Sequence, residues 1–404
     1  MKIKLIRNYT ELLLIPYTKK LFIYGIGWMS NFFYSQEYEF LSGFQNVKWI
    51  VSDSLPMKEY KGYSVLLAND LSHDINQIII VATTEAHHRD ICHVLEGQGI
   101  QECFLLTTEY MVSRIVEEQK RYYDNKVLNV CYEKIPNMGD LLNEVLFEKH
   151  YGYLLQKSEV YSARIMGIGS SLGSLFSKNK SSRILGEFID KQYALHIWGT
   201  GFSNNTEECR VEDLVRNNLD ICALRGNLSK KRLEAIFGKK ISCVVGDPGL
   251  LVKELISKES IEKKYKVGII PHYREIGLKV FEELKEHFQF SKIINLRGEP
   301  MKVLGEITAC ETIISTSLHG AIVADAFEIP NMLVKVSNIP AGDGFKYRDY
   351  YSGYGLDFEV LDLKKSISLP TEAKIRRNYL IQSKEVNEKI NALKDVMSKF
   401  CIEE

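Results

Sequence analysis

Short apolar runs alternate along the chain with longer stretches in which apolar residues recur every three or four positions. In the first hundred or so residues the runs "LFIY", "VKWIV", "IIIVA" and "CFLL" are each followed by small or polar residues, and most then lead into a helix-like segment. Strands that alternate with helices predict a parallel sheet covered on both faces. Residues 1–112 are therefore predicted to form a small Rossmann-like domain.

The same alternation returns twice further along the chain. Residues 113–127 are charged and helical in pattern, and we interpret them as a linker; two more strand-and-helix blocks follow at 128–255 and 256–370. A charged segment at 253–266 separates these blocks and is typical of an interdomain connection. Residues 371–404 carry apolar residues at helical spacing and predict one amphipathic C-terminal helix.

Composition narrows the class of protein. The 404 residues include 52 basic and 52 acidic side chains, which argues against a nucleic-acid partner. Eight cysteines without a C-x-x-C pair suit free thiols in a reducing compartment. Because we recognise neither a signal peptide nor a transmembrane segment, we expect a cytoplasmic protein, with peripheral membrane association and oligomerisation left open.

Two features of the first block suggest ligand chemistry. Gly25 and Gly27 follow the first predicted strand, Ser30 stands where a dinucleotide fingerprint has its third glycine, and Asp53 ends the next strand, where a ribose-binding acid is expected. These residues form a candidate nucleotide site, or the glycines simply make a tight turn. His88 and Cys92 share a helix face, but no second ligand pair lies nearby, so we expect no metal.

The stretch "ISTSLHGAIVADAFEIP" places His319 where an apolar strand turns into a helix. Helix N-termini bind anions, and an imidazole at such a place can hold an anion or pass a proton. Ser317 adds a hydroxyl, and Gly320 would let a ligand approach the backbone. The alternative is a histidine that caps the helix or is hydrogen-bonded in the core.

Seven motifs in a fixed order resemble the polysaccharide pyruvyl transferase family over about residues 128–365. They are "NMGD", "GIGSS", "WGTGF", "LRGNLSKKRL", "VVGDPGLLV", "TSLHGAIVADAFEIPN" and "FKYRDYY". The resemblance implies an α/β fold in which the Rossmann-like N-terminal domain precedes two more Rossmann-like domains in a glycosyltransferase-B-like (GT-B-like) arrangement. The C-terminal helix would pack back on the first of these two domains.

The resemblance also implies a reaction. A pyruvyl group passes from phosphoenolpyruvate to two sugar hydroxyls, a ketal forms and phosphate leaves, as in capsule or exopolysaccharide biosynthesis. The block at 128–255 would hold the acceptor, a lipid-linked or nucleotide-linked sugar, and the block at 256–370 the donor. Phosphoenolpyruvate is then a co-substrate, and no cofactor is required.

The family motifs assign roles to individual residues. His319 and Asp140 are the expected catalytic residues, and Arg225 is the first candidate for an anion clamp. The alternatives are that Asp140 caps the helix that begins there and that Arg225 forms a surface ion pair at a helix start. The expected substrate-binding residues are Asn137, Gly139, Gly167, Gly169, Ser170, Arg225, His272, Arg274, Ser317, Gly320, Lys346 and Arg348. Some family members have an arginine where this chain has Ser317. Either other cations replace it, with Lys335, Arg297 and Lys346 as candidates, or this branch uses another donor or has lost transferase activity; we favour replacement.

Two other functions remain open from the sequence. A glycosyltransferase of similar fold would use a nucleotide sugar and would need an acid to hold its ribose, for which Glu328 is available. Alternatively, the chain is not an enzyme, and its first block senses a nucleotide while the rest serves as a scaffold.

Overall fold

The computed structural model describes most of the chain and divides it into two compact units. The described residues are 1–52, 57–72, 74–124, 126–133, 137–206, 208–257, 261–339, 343–366 and 368–401. Unit 1 comprises residues 1–121 together with 180–192, and unit 2 comprises residues 122–179 together with 193–404. Across the described residues, every helix is too short or too polar to cross a bilayer.

The secondary-structure elements follow in chain order. The strands are β1 (Lys2–Ile6), β2 (Lys20–Tyr24), β3 (Val47–Val51), β4 (Glu59–Tyr60), β5 (Tyr63–Leu67), β6 (Gln77–Val81), β7 (Glu102–Leu106), β8 (Val127–Cys131), β9 (Leu154–Lys157), β10 (Ile165–Met166), β11 (Leu195–Trp198), β12 (Leu219–Leu224), β13 (Val244–Val245), β14 (Tyr265–Ile270), β15 (Ser291–Ile293), β16 (Cys310–Ser315), β17 (Asn331–Lys335) and β18 (Leu361–Asp362). The α-helices are α1 (Tyr9–Leu12), α2 (Trp28–Gln36), α3 (Tyr38–Ser42), α4 (His88–Gly97), α5 (Thr108–Asp124), α6 (Met138–Leu146), α7 (Lys180–Ile189), α8 (Asn227–Phe237), α9 (Lys279–His287), α10 (Pro300–Thr308), α11 (Leu318–Ala326), α12 (Phe345–Ser352), α13 (Glu372–Asn378) and α14 (Ser383–Cys401). Short 3-10 helices lie at Ala68–Asp70, Glu85–His87, Leu172–Leu175, Val211–Asp213 and Pro248–Leu255, and a π-helical turn lies at Phe147–Tyr151.

Unit 1 is built on one seven-stranded sheet in the order β1-β7-β6-β2-β3-β5-β4. Every pairing is parallel except that of β4 with β5. From β2 the chain first adds β3, β4 and β5 on one side and then β6 and β7 on the other. The sheet therefore has the doubly wound order of a Rossmann fold. Strand β1 escaped the sequence analysis because four of its five residues are exposed at the sheet edge, where burial leaves no apolar signature.

Helix α7 belongs to unit 1, although the segments on both sides of it in sequence belong to unit 2. Its residues Leu185 and Ile189 are buried. Together with Leu5, Met29 and other residues of unit 1, the helix lines a cavity of about 800 Å³ beyond the carboxyl ends of the strands. No sequence pattern had connected α7 with the first block.

Unit 2 contains two parallel sheets. One is six-stranded in the order β13-β12-β11-β10-β8-β9, and the other is five-stranded in the order β15-β14-β16-β17-β18. All pairings in both sheets are parallel. The α/β class predicted from the sequence is therefore confirmed, with several parallel sheets flanked by helices.

One hydrophobic core joins the two sheets of unit 2. Residues of α6 and of the Pro248–Leu255 helix belong to the same buried cluster as residues of α10 and α11. At Gly249, an added Cβ would lie 3.1 Å from Ile322 and 3.8 Å from Leu142, so the elements pack closely there. The carboxyl ends of the two sheets are held near each other by this core.

The C-terminal region forms two helices rather than the single one predicted. Ile375 of α13 packs into the core of the five-stranded sheet, whereas Val386 and Leu393 of α14 belong to the core that joins both sheets. Trp198 Nε1, at the end of β11, donates a hydrogen bond of 3.3 Å to the Leu393 carbonyl. The helix is interrupted at residues 379–382 because the apolar residues on its two sides pack into two different cores.

Helix α12 docks on the six-stranded sheet through glycines. Asp349 is fully buried and accepts hydrogen bonds from Ser229 N and Ser229 Oγ, each of 2.7 Å. A Cβ at Gly226 would overlap the Asp349 carbonyl, and a Cβ at Gly201 would lie 2.7 Å from Asp349 Oδ2. The φ angle of Gly226 is −151°, so close approach, and not backbone strain, requires glycine here.

We predict that Gly226→Ala lowers the free energy of unfolding of unit 2 by about 2–3 kcal/mol, because the added methyl group must push α12 away. Gly305→Ala is the matched control: no atom lies within 4 Å of a Cβ in α10, and alanine should stabilise that helix by up to about 1 kcal/mol. Urea unfolding of both variants measures the difference, and equal stabilities would contradict the packing role.

Candidate active site

His319 lies in the first turn of α11, directly after the end of β16. Ser315 Oγ accepts a hydrogen bond of 2.9 Å from Ser317 N and so shapes the turn. Ser317 is the N-cap of α11, but its side chain makes no capping hydrogen bond, so the free N–H groups of the first turn are not capped by it. A Cβ at Gly320 would lie 2.7 Å from Ser315 Oγ and 3.0 Å from Ile270. The close packing of helix on strand gives a reason for Gly320 that requires no ligand, and its expected role in ligand binding stays a prediction.

The imidazole of His319 packs directly on Gly139 of the Asn-Met-Gly-Asp motif. A side chain at Gly139 would overlap the ring at Nδ1. Met138 N donates a hydrogen bond of 2.6 Å to the Leu296 carbonyl, which fixes the start of α6 against the half of unit 2 that contains the five-stranded sheet. Two motifs that are about 180 residues apart in sequence thus meet at one place.

Asp140 extends the same site. Its Oδ2 accepts a hydrogen bond of 2.7 Å from Asn137 Nδ2. Burial raises the pKa of Asp140 to about 6; Glu133 adds to this shift, while Asn137 and the charge of Lys346 oppose it. Asp140 is in the first turn of α6, but Asn137 occupies the N-cap position, so the carboxylate is not the cap considered in the sequence analysis.

The floor of the site is formed by the "GIGSS" loop. Gly167 leaves no room for a side chain because Asn143 Oδ1 occupies the space, and Gly169 has a φ of +133°, which favours glycine. A Cβ at Gly169 would lie 3.9 Å from Asp140 Oδ1. Ser170 Oγ accepts a hydrogen bond of 2.8 Å from Arg225 Nη1.

Arg225 does not have the free guanidinium that an anion clamp requires. Only 1% of its surface is exposed. Its Nε donates to Asp349 Oδ2 at 3.0 Å, its Nη1 to Ser170 Oγ and to the Gly169 carbonyl, and its Nη2 to the Phe202 carbonyl at 2.6 Å. Arg225 therefore holds the "GIGSS" loop and α12 in place. Its charge acts on the site through space and lowers the pKa values of His319 and Lys346.

Lys346, in the first turn of α12, supplies the available positive charge. Its Nζ lies 5.2 Å from the centroid of the Tyr347 ring. Within the described ranges the ammonium forms neither a hydrogen bond nor an ion pair. Burial lowers its pKa to about 8, the charge of Arg225 lowers it further, and Asp140 and Glu275 partly compensate. A desolvated cation that makes no direct ion pair is suited to bind an anion.

Both histidines of the site are neutral near pH 7. Burial lowers the pKa of His319 to about 3, with the positive charges of Lys346 and Arg225 adding to the effect. Burial and Lys346 likewise lower the pKa of His272 to about 4. His272 N donates to Thr316 Oγ1 at 2.7 Å, which places His272 beside the turn before α11. A bound anion would favour the protonated form of each imidazole.

The remaining cations expected at the site lie elsewhere or are engaged. Arg274 is exposed, and its backbone N–H donates to His272 Nδ1 at 3.3 Å. Arg348 Nη1 donates to the Asp343 carbonyl at 2.8 Å, and Arg297 lies 6.0 Å from the Tyr273 ring. Lys335 lines a cavity next to Lys346. Of the cations considered to replace the family arginine, Lys346 alone acts electrostatically on His319 in the described structure.

Sequence reasoning missed two residues beside the site. Tyr347 donates from its hydroxyl to the Thr316 carbonyl at 3.0 Å, and Glu275 raises the pKa of Lys346. Both stand next to residues already singled out, in "PHYRE" and "FKYRDYY". The pattern gave no sign that they turn inward.

The candidate nucleotide site of unit 1 is only partly described. Ser30 is fully buried, and its hydroxyl lies 2.7 Å from the Gly25 carbonyl and 2.8 Å from the Ala82 carbonyl, so it fills the space between β2 and β6. Gly27 is the N-cap of α2, and Asp53 lies outside the described residues. Nucleotide binding there stays a prediction.

A possible set of metal ligands occurs away from the motifs. His88 Nε2 contacts the Thr83 carbonyl at 3.0 Å, which accounts for this histidine. His196, Asp220 and Cys222, on β11 and β12, place one ligand atom each within 4.8 Å of one another. His196 Nδ1 lies 3.0 Å from Asp220 Oδ2, so the imidazole and carboxylate already satisfy each other.

Comparisons with known proteins agree with the motifs. The family model of polysaccharide pyruvyl transferase matches residues 118–338, more than half of the chain. The chain therefore belongs to this family of transferases. It is 27% identical over 225 residues to the succinoglycan biosynthesis protein ExoV of Rhizobium meliloti (strain 1021), covering 55% of this chain and 63% of that protein. It is 26% identical over 239 residues to the uncharacterized protein L143 of Acanthamoeba polyphaga mimivirus, covering 56% of this chain and 74% of that protein.

Solved structures show a more distant likeness. A UDP-N-acetylglucosamine 2-epimerase has 12% sequence identity and a TM-score of 0.35, with 95% of this chain and 97% of that chain covered. Arabidopsis thaliana UGT89C1 in complex with UDP-L-rhamnose has 10% identity and a TM-score of 0.30, with 94% of each chain covered. Values this low concern the general α/β fold and carry no information on ligands.

We predict that Lys346→Met raises the free energy of unfolding at pH 7 by about 1–3 kcal/mol, because the wild-type protein must keep a desolvated ammonium charged. The folded-state pKa of Lys346, about 8, lies below the ordinary lysine pKa of 10.5. The unfolded chain therefore binds more protons between these values, and wild-type stability should rise with pH across that window.

Chemical denaturation between pH 7 and pH 10.5 measures this effect. In Lys346→Met the rise with pH should be smaller, whereas Lys279→Met should behave as wild type because 91% of the Lys279 side chain is exposed. A Lys346→Met protein that is less stable than wild type at pH 7 would show that the ammonium is already compensated.

Proposed function

We propose that this protein transfers a pyruvyl group from phosphoenolpyruvate to two hydroxyls of a sugar, forming a ketal in the biosynthesis of a capsule or exopolysaccharide. The acceptor is a lipid-linked or nucleotide-linked sugar. Family membership supports the class of reaction, and the ExoV relative, a succinoglycan biosynthesis protein, supports a role in polysaccharide biosynthesis. The observation that carries the proposal is the meeting of His319, Asp140 and the unpaired Lys346 at the N-terminus of α11.

The donor would bind through its negative charges. Its phosphate is matched by the free N–H groups of α11 and by the Lys346 ammonium, and the neutral His272 lies close enough to this cluster to influence His319 electrostatically. The small side chain of Ser317 leaves the contact to Lys346, which takes over the task of the arginine that some family members have. Arg225 contributes only by positioning the "GIGSS" loop and α12.

His319 is the proposed general acid. Its low pKa keeps the ring neutral in the free protein, and the charge of a bound phosphoenolpyruvate raises that pKa so that the ring can take up a proton. The protonated ring gives this proton to the donor methylene, which becomes the methyl group. The acceptor oxygen then bonds to the central carbon of the donor.

Asp140 is the proposed general base. Its pKa of about 6 leaves it mostly ionised near pH 7, yet high enough to accept a proton from an acceptor hydroxyl. The second hydroxyl bonds to the same carbon as the carbon–phosphate oxygen bond breaks. Of the two hydroxyl protons released, one balances the proton given to the methylene and the other leaves with phosphate.

Two substitutions separate the proposed roles. Asp140→Asn should bind phosphoenolpyruvate within about threefold of wild type but lower turnover by about 100-fold or more, because only the proton acceptor is removed. His319→Ala should lower turnover by about 100- to 10,000-fold and also weaken donor binding. Calorimetric titration with phosphoenolpyruvate, and phosphate release with ketal detection by NMR in the presence of an acceptor oligosaccharide, measure both effects.

His93→Ala is the control, because His93 is an exposed histidine on α4 of unit 1. It should leave donor binding and turnover unchanged. If wild-type protein binds a nucleotide sugar and fails to bind phosphoenolpyruvate, the proposed reaction is wrong and a glycosyltransferase becomes the better explanation. The glycosyltransferase alternative would use Glu328 to hold a ribose, but both oxygens of this carboxylate already have partners. Lys253 Nζ lies 2.7 Å from Oε1, and Ser383 Oγ donates to Oε2 at 2.6 Å.

A further inference from the structure

A cavity of about 360 Å³ lies beside Lys346, at the carboxyl end of β17. Its lining includes Ser203, Glu275, Lys335, Asn338, Lys346 and Tyr347. Lys346 and Arg348, which are expected to bind substrate, also line this cavity, whereas Glu275, Ser203 and Asn338 have no assigned role. Its volume is at the small end of the range found for ligand pockets and suits about one sugar ring.

Glu275 has an unusual place in the lining. Only 1% of its surface is exposed. Its Oε1 accepts a hydrogen bond of 2.5 Å from Ser337 Oγ, but its Oε2 has no hydrogen-bond partner among the residues that the structure describes. An unpaired carboxylate oxygen at such depth is costly, and native proteins satisfy most buried polar atoms. Glu275 lines the cavity, so a ligand that binds there is the available source of a donor for Oε2.

The backbone holds Glu275 rigidly. Glu275 N donates to the His272 carbonyl at 2.7 Å, and its own carbonyl accepts from Leu278 N at 3.1 Å. Ser337 is fixed in turn, because its Oγ accepts a hydrogen bond of 2.9 Å from Ile339 N. The carboxylate is therefore oriented before any ligand arrives, which lowers the entropic cost of binding.

The charges around the cavity select the kind of ligand. Lys335, Lys346 and Arg348 line it together with Asp343, Glu359 and Glu275. A free anion would meet the buried carboxylate, and a free amine would meet Lys346, so neither is favoured at Oε2. A neutral group rich in hydroxyls satisfies both signs, because a hydroxyl can donate to a carboxylate and also accept from an ammonium.

We propose that this cavity is a sugar subsite in which Glu275 Oε2 accepts a hydrogen bond from a hydroxyl of a sugar ring. The sugar is either the acceptor hexose or the ribose of a nucleotide-linked substrate, since both present vicinal hydroxyls. The assignment to the acceptor rests on the proposed function, whereas binding of sugar hydroxyls by Glu275 does not. Lys346 would then join the subsite to the anion-binding end of α11.

The test compares four proteins by saturation-transfer NMR and titration. Glu275→Gln keeps the shape of the side chain but loses its charge, Glu275→Asp keeps the charge but withdraws it by one methylene, and Glu359→Gln removes an exposed carboxylate from the rim of the same cavity. The probes are methyl β-D-galactopyranoside and methyl β-D-glucopyranoside for a hexose, uridine monophosphate for a ribose, and phosphoenolpyruvate for the donor site.

Glu275→Gln should weaken binding of the sugar probe at least about tenfold, as expected for loss of a charge-assisted hydrogen bond, and leave phosphoenolpyruvate binding within about threefold. Glu275→Asp should fall between Glu275→Gln and wild type, and Glu359→Gln should match wild type. Preference for the methyl glycosides identifies the acceptor, and preference for uridine monophosphate identifies a nucleotide.

Other outcomes are equally decisive. If Glu275→Gln and Glu275→Asp bind both kinds of probe as wild type does, or if wild type binds none of them at millimolar concentration, the subsite is wrong. If sugar binding depends on Glu275 while phosphoenolpyruvate does not bind, the subsite stands and the pyruvyl transfer fails. Should Glu275→Gln not fold, Glu275→Asp carries the same comparison.

Discussion

The buried ion pair between Arg225 and Asp349 is the contact on which the candidate site depends. Asp349 comes from the five-stranded half of unit 2 and Arg225 from the six-stranded half, and both are almost fully excluded from solvent. A buried pair of this kind adds little net stability but is costly to break, so it fixes geometry more than it strengthens the fold. Through it, α12 holds Lys346 in the site, while the other guanidinium donors fix the loop that faces Asp140. This one interaction thus positions Lys346 from the five-stranded half and the loop beside Asp140 from the six-stranded half.

This arrangement places several ionisable groups where their charged forms are disfavoured. Burial lowers the pKa values of Lys346, His319 and His272, neighbouring positive charges lower them further, and burial raises the pKa of Asp140. Each shift is unfavourable for the charged form in the free protein. A dianionic ligand would lower the free-energy cost of keeping Lys346 charged and of protonating the histidines. The lower stability of the free protein would then be offset by tighter ligand binding, and binding would raise the pKa values of these groups. Under the proposed function, this electrostatic cost in the free protein is what favours anion binding.

The sequence supported the α/β class, the strand ends and the motif order, because buried parallel strands leave continuous apolar runs and strand-to-helix turns leave glycines and small polar residues. It did not show β1, whose edge position leaves most of its residues exposed, or the break between α13 and α14, which arises because two cores compete for one amphipathic segment. Among site residues, His319 and Gly139 could be named from motifs, but their contact is a property of the assembled unit. Arg225 was named with the wrong task, since sequence does not reveal that its donors are taken, and Glu275 was missed because an acid in a charged stretch normally faces water.

The path of the chain through α7 has a consequence for how the protein is made. Unit 1 needs residues 180–192, but those residues leave the ribosome only after the first strands of unit 2, including β8 to β10. Unit 1 therefore cannot acquire its full set of elements until part of unit 2 has been synthesised, and the side of its cavity that α7 lines lacks that helix until then. The order of synthesis therefore couples the two units, in addition to the peptide bonds that join them. A single cut of the chain cannot separate one complete unit from the other.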